Sequence, residues 1–238
     1  MQPAMHKPGC RFEVRSYLSS CFSIPGTVSV FLQLPAAFLL LALCLAPAWA
    51  QRDPLFEAVA AGSLKDVELR LGAGAAVNAR NENAETLLYV AAEKGHDALV
   101  SFLLDKGADV GIPTANGETV LHAAALNGDP GLLALLLERG GEVNRANRDG
   151  ERPLFWAAST GHGGIAKLLL ERGADVNAID VRGNSALHGA VDAGHEAAAW
   201  LLLNQGADPA LRNASGDTAL DIARQRGYGD IVRLLQSR

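Results

Sequence analysis

Apolar residues along most of the chain recur three and four positions apart, in short blocks separated by glycine and polar residues. One block contains Ile165, Leu168 and Leu169, and this spacing places the three side chains on one face of a helix. Gly173 follows the block and is typical of a helix end. A single short helix of this kind cannot bury its apolar face alone. The pattern therefore predicts many short helices that pack against one another.

The blocks follow a period of 33 residues. Two series of glycines carry this period without a break: Gly62, Gly95, Gly128, Gly161, Gly194 and Gly227 in one, and Gly74, Gly107, Gly140, Gly173 and Gly206 in the other. Each unit contains a short Ala-rich helix, a second amphipathic helix, and an extended piece that leads to a glycine-containing turn. A fixed period of this length indicates a stack of repeats, in which each unit covers the apolar face of the next.

Three short motifs within the units resemble the ankyrin-repeat family. The family's Thr-Pro-Leu-His-x-Ala motif is matched in part at 119–124, 153–157 and 185–190, and its Gly-Ala-Asp-Val-Asn ending is complete at 173–177. Gly-His steps stand at 95–96, 161–162 and 194–195. The resemblance extends from Asp53 to Gln236. It implies an all-α solenoid of six stacked helix-turn-helix repeats joined by β-hairpin-like loops.

The resemblance divides residues 51–238 into six repeats, numbered one to six here: about 51–80, 81–113, 114–146, 147–179, 180–212 and 213–238. Arg70 in the first repeat stands where later repeats have Leu103, Leu136, Leu169 and Leu202. Terminal repeats need a polar outer face, so repeats one and six are interpreted as caps. We expect twelve helices in six antiparallel pairs, without a substantial sheet.

Residues 1–50 resemble a secretory signal peptide. A basic start precedes the apolar run 34–46 and the small-residue pattern at 48–50, which predicts cleavage after Ala50. The alternative is an uncleaved anchor, because 28–46 is almost long enough to span a bilayer. In both cases the repeats are exported, to the periplasm or the medium, and after cleavage no membrane contact is expected.

The charge of the chain and the positions of its cysteines exclude some classes of function. The chain has a net charge of −5, and the 18 basic and 25 acidic residues that follow residue 50 make the repeats more acidic still. The sequence has no cluster of Lys and Arg, and this excludes a protein that binds nucleic acid regardless of its base sequence. All three cysteines precede residue 51, so the repeats cannot use thiol chemistry or disulfides. We expect a monomer that is stabilised by packing alone.

No catalytic, cofactor-binding or metal-binding residue is predicted. Gly-x-Ser-x-Gly, P-loop and His-Glu-x-x-His patterns are absent from the sequence. The resemblance assigns a structural role to His122 and His188, whose rings bond within the turn, and to the three Gly-His histidines. The segment 149–151 has the composition of a turn and lacks the further carboxylates of a calcium loop.

Function is therefore expected from a surface that binds another protein. In the ankyrin family, partners usually dock on the hairpin tips and on the exposed side of the first helices. These positions predict the partner-binding residues Leu126, Asn127, Arg148, Asp149, Glu151, Trp156, Ser159, Thr160, Val181, Arg182, Asn184 and Asp192. Trp156 is either the centre of this surface or a filler of space left by smaller neighbours. Trp200 is expected to lie exposed on the opposite side.

The leading hypothesis is a non-catalytic protein-protein interaction module of the bacterial cell envelope. Within this class, a toxin-neutralising protein of the immunity type and an effector directed at a host are alternatives. A small-molecule site or hydrolase hidden in the groove is a third hypothesis, from a different class. If the leader is retained, the chain is a membrane-tethered scaffold.

Overall fold

The computed structural model describes residues 53–237, so the leader and its expected cleavage site lie outside the described residues. Twelve helices form in this range, which confirms the prediction. They are α1 (Pro54–Ala60), α2 (Leu64–Gly72), α3 (Leu87–Glu93), α4 (Asp97–Asp105), α5 (Val120–Asn127), α6 (Pro130–Glu138), α7 (Pro153–Ser159), α8 (Gly163–Glu171), α9 (Ala186–Asp192), α10 (Glu196–Asn204), α11 (Ala219–Arg226) and α12 (Gly229–Gln236). The only β pairing found between residues 53 and 237 consists of two isolated bridges, at 80 with 86 and at 179 with 185.

The first helix of most pairs begins at a hydroxyl or carboxylate cap. The Thr86 hydroxyl accepts a hydrogen bond from the Tyr89 N–H, and Asp53 caps α1 in the same way. Repeat four is different, because Arg152 stands at the cap position of α7 and makes no side-chain cap bond. Pro153 follows it at the first helical position, where its fixed φ suits a helix start.

The odd-numbered helices form an inner row and the even-numbered helices an outer row, with the apolar core between them. Leucines of the internal outer helices are fully buried: Leu103, Leu136, Leu169 and Leu202. Arg70, at the same position in α2, is exposed, which confirms the capping interpretation of repeat one. No helix among residues 53–237 has both the length and the apolar character needed to cross a bilayer.

The loops between repeats form a row of hairpins along one side of the inner helices. Each tip is joined to the next by one backbone hydrogen bond of 2.7–2.9 Å: Ala115 N to Asn83 O, Arg148 N to Asn116 O, Val181 N to Asp149 O, and Ala214 N to Arg182 O. A surface that can hold a ligand lies between the row of hairpins and the row of inner helices.

Candidate functional site

A groove of about 560 Å³ opens between the hairpins and the inner helices of repeats four to six. We call it the groove below. Its lining residues include Phe155, Gly189 and Ile222 from the inner helices, and Arg182 and Asn213 from the hairpins. The groove therefore combines an apolar floor with polar edges.

The floor is shaped by two departures from the repeat pattern. Phe155 stands at the motif position that His122 and His188 occupy in the flanking repeats. Gly189 stands where repeat four has Trp156 and repeat six has Ile222. The side chain that is missing at 189 leaves room for the half-buried ring of Phe155, which lies against α9.

Two ion pairs join neighbouring repeats at the edges of the groove. Arg226 donates from Nε and Nη2 to Asp192 Oδ1, at 2.9 and 2.6 Å, and this hydrogen bonding and charge raise the pKa of Arg226. Arg182 Nη2 lies 3.7 Å from Glu151 Oε1. The two arginines are more than half exposed, and exposed ion pairs contribute little to stability. Both guanidinium groups are thus accessible to a partner at little cost in folding energy.

Other polar residues of the groove shape its hairpin wall. The Asp180 carboxylate is buried and accepts hydrogen bonds from the N–H groups of Arg182 (2.8 Å) and Asn184 (2.7 Å). The Asn184 side-chain amide also donates to Asp180 Oδ2. Asn213 supports the next hairpin through its Oδ1, which accepts from the Ser215 and Asp217 N–H groups. The Asp180 contacts hold the backbone of the hairpin that carries the exposed Arg182.

Trp156 lies beside the groove and does not line it. Its indole N–H donates to Glu151 Oε2 at 2.9 Å, and its ring meets that of His122 edge to face with centroids 5.4 Å apart. Glu151 Oε2 also accepts from the Asn147 amide. These internal contacts favour the interpretation of Trp156 as a residue that fills space and orients Glu151.

Of the twelve predicted partner-binding residues, some line the groove and the others, among them Trp156, lie outside its lining. Five line the groove: Glu151, Ser159, Arg182, Asn184 and Asp192. Arg148, Asp149 and Val181 are exposed at the hairpin tips, while Leu126, Asn127 and Thr160 lie at or just beyond the ends of α5 and α7, outside the groove lining. Trp156 lies beside the groove, as described above. The structure thus brings together fewer than half of the residues predicted from the sequence.

The set of predicted partner-binding residues leaves out several residues of the groove: Phe155, Asn213, Asp217, Gln225 and Arg226. Three of them had a signal in the sequence. Asp217 and Gln225 stand 33 residues after the predicted Asn184 and Asp192, and Arg226 stands two periods after the predicted Thr160. Extending the site by one repeat would have included them. Phe155 departs from the motif histidine in the sequence, but only its close approach to α9 shows its role in the groove.

The motif histidines hold neighbouring repeats together. His122 Nδ1 accepts from the Thr119 N–H at 3.0 Å, as the resemblance implies, and its Nε2 bonds to the Glu151 carbonyl of the next repeat at 3.1 Å. Burial lowers the pKa of His122 to about 4. His188 makes the equivalent bonds with Ser185 and Asp217, and burial lowers its pKa as well. Both rings are therefore neutral at physiological pH.

The Gly-His histidines also reach across a repeat boundary. Nε2 of His96, His162 and His195 bonds to the carbonyl of Ala60, Leu126 and Ser159, respectively, at 3.0–3.1 Å. All five histidines of the repeats thus make structural hydrogen bonds. Within residues 53–237 no group of three or more His, Cys, Asp and Glu side chains is placed to hold a metal ion.

Comparison with known proteins identifies one family. A family model described as ankyrin repeats (3 copies) matches residues 55–147, 107–180, 127–213 and 179–238. The overlapping matches together cover residues 55–238 without a gap. No curated protein is similar enough to the chain to be matched.

Proposed function

The chain belongs to the ankyrin-repeat family, and we propose that its repeats form a non-catalytic module that binds another protein through the groove and the adjoining hairpin tips. Ankyrin repeats generally serve as protein-protein interaction modules, and the family is typically non-catalytic. The observation that supports this site most is the groove itself, an open channel of about 560 Å³ with an apolar floor and charged edges.

The composition of the groove suits a protein partner. Protein interfaces combine an apolar centre with a polar rim, and arginine and aromatic residues are enriched at their energetic centres. Phe155 and Ile222 supply the apolar centre, while Arg182 and Arg226 stand at the rim. Because Asp192 and Glu151 lie beside these arginines, the rim presents both signs of charge. Such a pattern selects a partner with a complementary arrangement, and it disfavours a uniformly charged polymer.

Two titratable groups of the groove, His188 and Asp180, support a binding role more than a catalytic one. Both ring nitrogens of His188 are engaged by the backbone of Ser185 and Asp217, so the ring has no free nitrogen to serve as a general base. The buried Asp180 carboxylate accepts two hairpin N–H groups at Oδ1 and the Asn184 side-chain amide at Oδ2. A catalytic acid or base needs an accessible position within hydrogen-bond reach of a substrate.

The test has two stages. The immobilised chain first captures a partner from envelope extract, and isothermal titration calorimetry with the purified partner then compares variants. Arg182→Ala and Asp192→Asn should each weaken binding at least tenfold. Glu93→Gln is the matched control, because Glu93 occupies the position of Asp192 three repeats earlier and lies outside the groove. If the groove variants bind as tightly as wild type while Trp156→Ala does not, the partner uses another surface.

The proposal includes export of the repeats to the periplasm or the medium. It rests on the basic start, the apolar run 34–46 and the small-residue pattern before Gln51. Mass spectrometry of the exported protein should find Gln51 at the N-terminus. An intact leader on protein in the membrane fraction would favour the anchored form, and protein confined to the cytoplasm would contradict export.

A further inference from the structure

The ring of Phe155 forms the centre of the groove floor. It lies over Gly189, where an added Cβ would be only 3.1 Å from Phe155 Cε2, so a side chain of repeat four covers the floor position of repeat five. Ile222 of repeat six continues the apolar lining. The Phe155 side chain is half-buried, and the part of it that remains exposed faces the groove. The floor is therefore an apolar platform on which a side chain of a partner can lie.

Negative charge exceeds positive charge in the lining of the groove. The lining contains four carboxylates and two guanidinium groups: Glu151, Asp180, Asp192 and Asp217, with Arg182 and Arg226. Arg226 is matched to Asp192 by two short hydrogen bonds. Arg182 is shared between Glu151 at 3.7 Å and Asp180 at 3.9 Å. Because the lowered pKa of His188 leaves that ring neutral, two negative charges remain uncompensated.

The carboxylates of Glu151 and Asp217 are held by uncharged donors. The two residues occupy equivalent positions at the hairpin edge of repeats four and six. Glu151 Oε2 accepts from the Trp156 indole N–H at 2.9 Å, and Asp217 Oδ1 accepts from the Gln225 amide at 3.0 Å. Uncharged donors orient a carboxylate without cancelling its charge. Both side chains are thus positioned and still negative.

The second oxygen of each of these two carboxylates is left for a ligand. Among residues 53–237, Asp217 Oδ2 accepts no hydrogen bond, and Glu151 Oε1 has only the 3.7 Å contact with Arg182. Both side chains are partly buried, and a charge in such a place attracts an opposite charge more strongly than one in open water does. A cationic donor gives the shortest and strongest hydrogen bond to such an oxygen.

A lysine or arginine side chain matches both the floor and the charge of the groove. Its aliphatic stem packs on apolar surface while its charged end stays in contact with polar groups. An acidic side chain would add to the negative charge in excess, and the two arginines of the groove already face carboxylates of the chain itself. Charge complementarity therefore selects a cation for this position.

The length of the groove indicates the form of the segment that carries this side chain. The lining includes residues of α7, α9 and α11, and neighbouring helices lie about 8 to 10 Å apart, so the groove extends over about 20 Å. An extended chain rises about 3.3 Å per residue, so about six residues cover this distance. Since the Phe155 ring lies over α9, the middle helix, the cationic side chain stands near the middle of the segment.

We propose that the groove recognises a lysine or arginine side chain in an extended segment of the partner protein. The stem of this side chain packs on Phe155, and its charged end binds Glu151 and Asp217. Arg182 and Arg226 remain at the rim, where they meet other groups of the partner. The inference rests on the proposed function, because it names the chemistry of the partner that the same groove takes.

Peptide titrations of the full chain followed by NMR test the inference without the partner. The probe is the extended peptide Ac-Ala-Ala-Arg-Ala-Ala-Ala-NH2, and its control carries citrulline, which has nearly the shape of arginine and no charge. The arginine peptide should bind at least about tenfold more tightly than the citrulline peptide. A glutamate peptide should bind more weakly than either. Amide shifts should change in α9 and in the hairpin at 180–184, and those of repeats one and two should stay constant.

Variants of the two carboxylates test which groups bind the cation. Glu151→Gln and Asp217→Asn each keep an oxygen for the internal donor and remove the charge, so each should weaken the arginine peptide at least about threefold and leave the citrulline peptide unchanged. Glu118→Gln is the matched control. Glu118 occupies the same position one repeat before Glu151 and lies outside the groove lining, so this variant should bind like wild type.

The inference is wrong if neither peptide binds, or if the arginine and citrulline peptides bind equally well. It is also wrong if Glu118→Gln weakens binding as much as Glu151→Gln does, because the effect would then come from the overall charge of the chain. A partner that occupies the groove without a lysine or arginine at Phe155 would refute this inference and leave the proposed function intact. A partner that binds another surface would refute the proposed function, whatever the selectivity for the peptides.

Discussion

Ala84 and Gly117 occupy equivalent turns of successive hairpins, and both have left-handed backbone conformations, with φ of 58° and 83°. Later hairpins have glycine at this position as well, at Gly150, Gly183 and Gly216. Among residues 53–237, Ala84 is the one residue other than glycine with a positive φ. The left-handed region brings Cβ too close to the following carbonyl oxygen, so the first hairpin is strained.

Replacing Ala84 with glycine should relieve this strain. We expect Ala84→Gly to raise the free energy of unfolding by up to about 1 kcal/mol, because the relief of about 1 to 2 kcal/mol exceeds the added chain entropy of glycine. Urea denaturation measures the change. Ala115→Gly, at a position in the next hairpin without a positive φ, should lower stability instead. A loss of stability in Ala84→Gly would show that the left-handed turn is not strained.

Leucine truncation in the core should separate internal repeats from caps. Leu169 is fully buried between the two helix rows, so Leu169→Ala should lower the free energy of unfolding by about 2 to 5 kcal/mol. Arg70→Ala, at the equivalent exposed position of repeat one, should change it by less than about 0.5 kcal/mol. Denaturant melts compare the two. Equal losses would refute the assignment of repeat one as a cap.

The buried histidine of repeat three should make stability depend on pH. Its pKa is lowered from 6.5 to about 4, so below pH 6.5 the unfolded chain binds a proton that the folded chain does not. Stability should therefore fall as the pH falls from about 6.5 to about 4, by about 3 kcal/mol from His122 alone.

The difference between wild type and His122→Gln isolates this contribution. Glutamine keeps an acceptor for the Thr119 N–H and does not titrate in this range. His188 contributes with the same sign in both proteins and cancels in the difference. Parallel stability curves for the two proteins between pH 7 and pH 4 would contradict the prediction.

The ring of Phe155 leaves little room for a side chain at position 189 of the groove floor. A Cβ there would lie 3.1 Å from Phe155 Cε2, so Gly189→Ile, which introduces the residue of repeat six, should lower the free energy of unfolding by about 1 to 3 kcal/mol. A double-mutant cycle with Phe155→Ala measures the coupling in urea. In the Phe155→Ala background, Gly189→Ile should lower the free energy of unfolding much less. An equal loss in both backgrounds would mean that the Phe155 ring and a side chain at 189 do not clash.

The fold was predictable because the same signals recur in every repeat. Glycines at fixed intervals and leucines at 103, 136, 169 and 202 identify the helix ends and the buried face without knowledge of any long-range contact. Trp200, expected on the outer side, is 54% exposed and confirms the predicted orientation of α10. The periodicity of the sequence predicts which face of its helix a residue lies on and which repeat positions it contacts in a typical unit.

The site was less predictable because it depends on departures from the average repeat. Residue type and a central place in the stack favour Trp156 as the centre of the surface, but its indole turns to Glu151 and His122, while its neighbour Phe155 reaches the groove. The pairing of Arg226 with Asp192 likewise needs one side chain from each of two repeats. A pattern within one repeat carries no information on such pairs.

The bonds between hairpin tips have an evolutionary consequence. They join main-chain atoms alone, so any two units of 33 residues can pair in this way whatever side chains they carry. Recombination that duplicates or deletes a whole unit therefore leaves no unmatched tip, and the number of repeats is free to drift between lineages. The groove has no such freedom, because removal of any one of its three repeats separates residues that line it together. Copy number should accordingly vary on the side of repeats one to three, and binding specificity should be inherited with repeats four to six as a block.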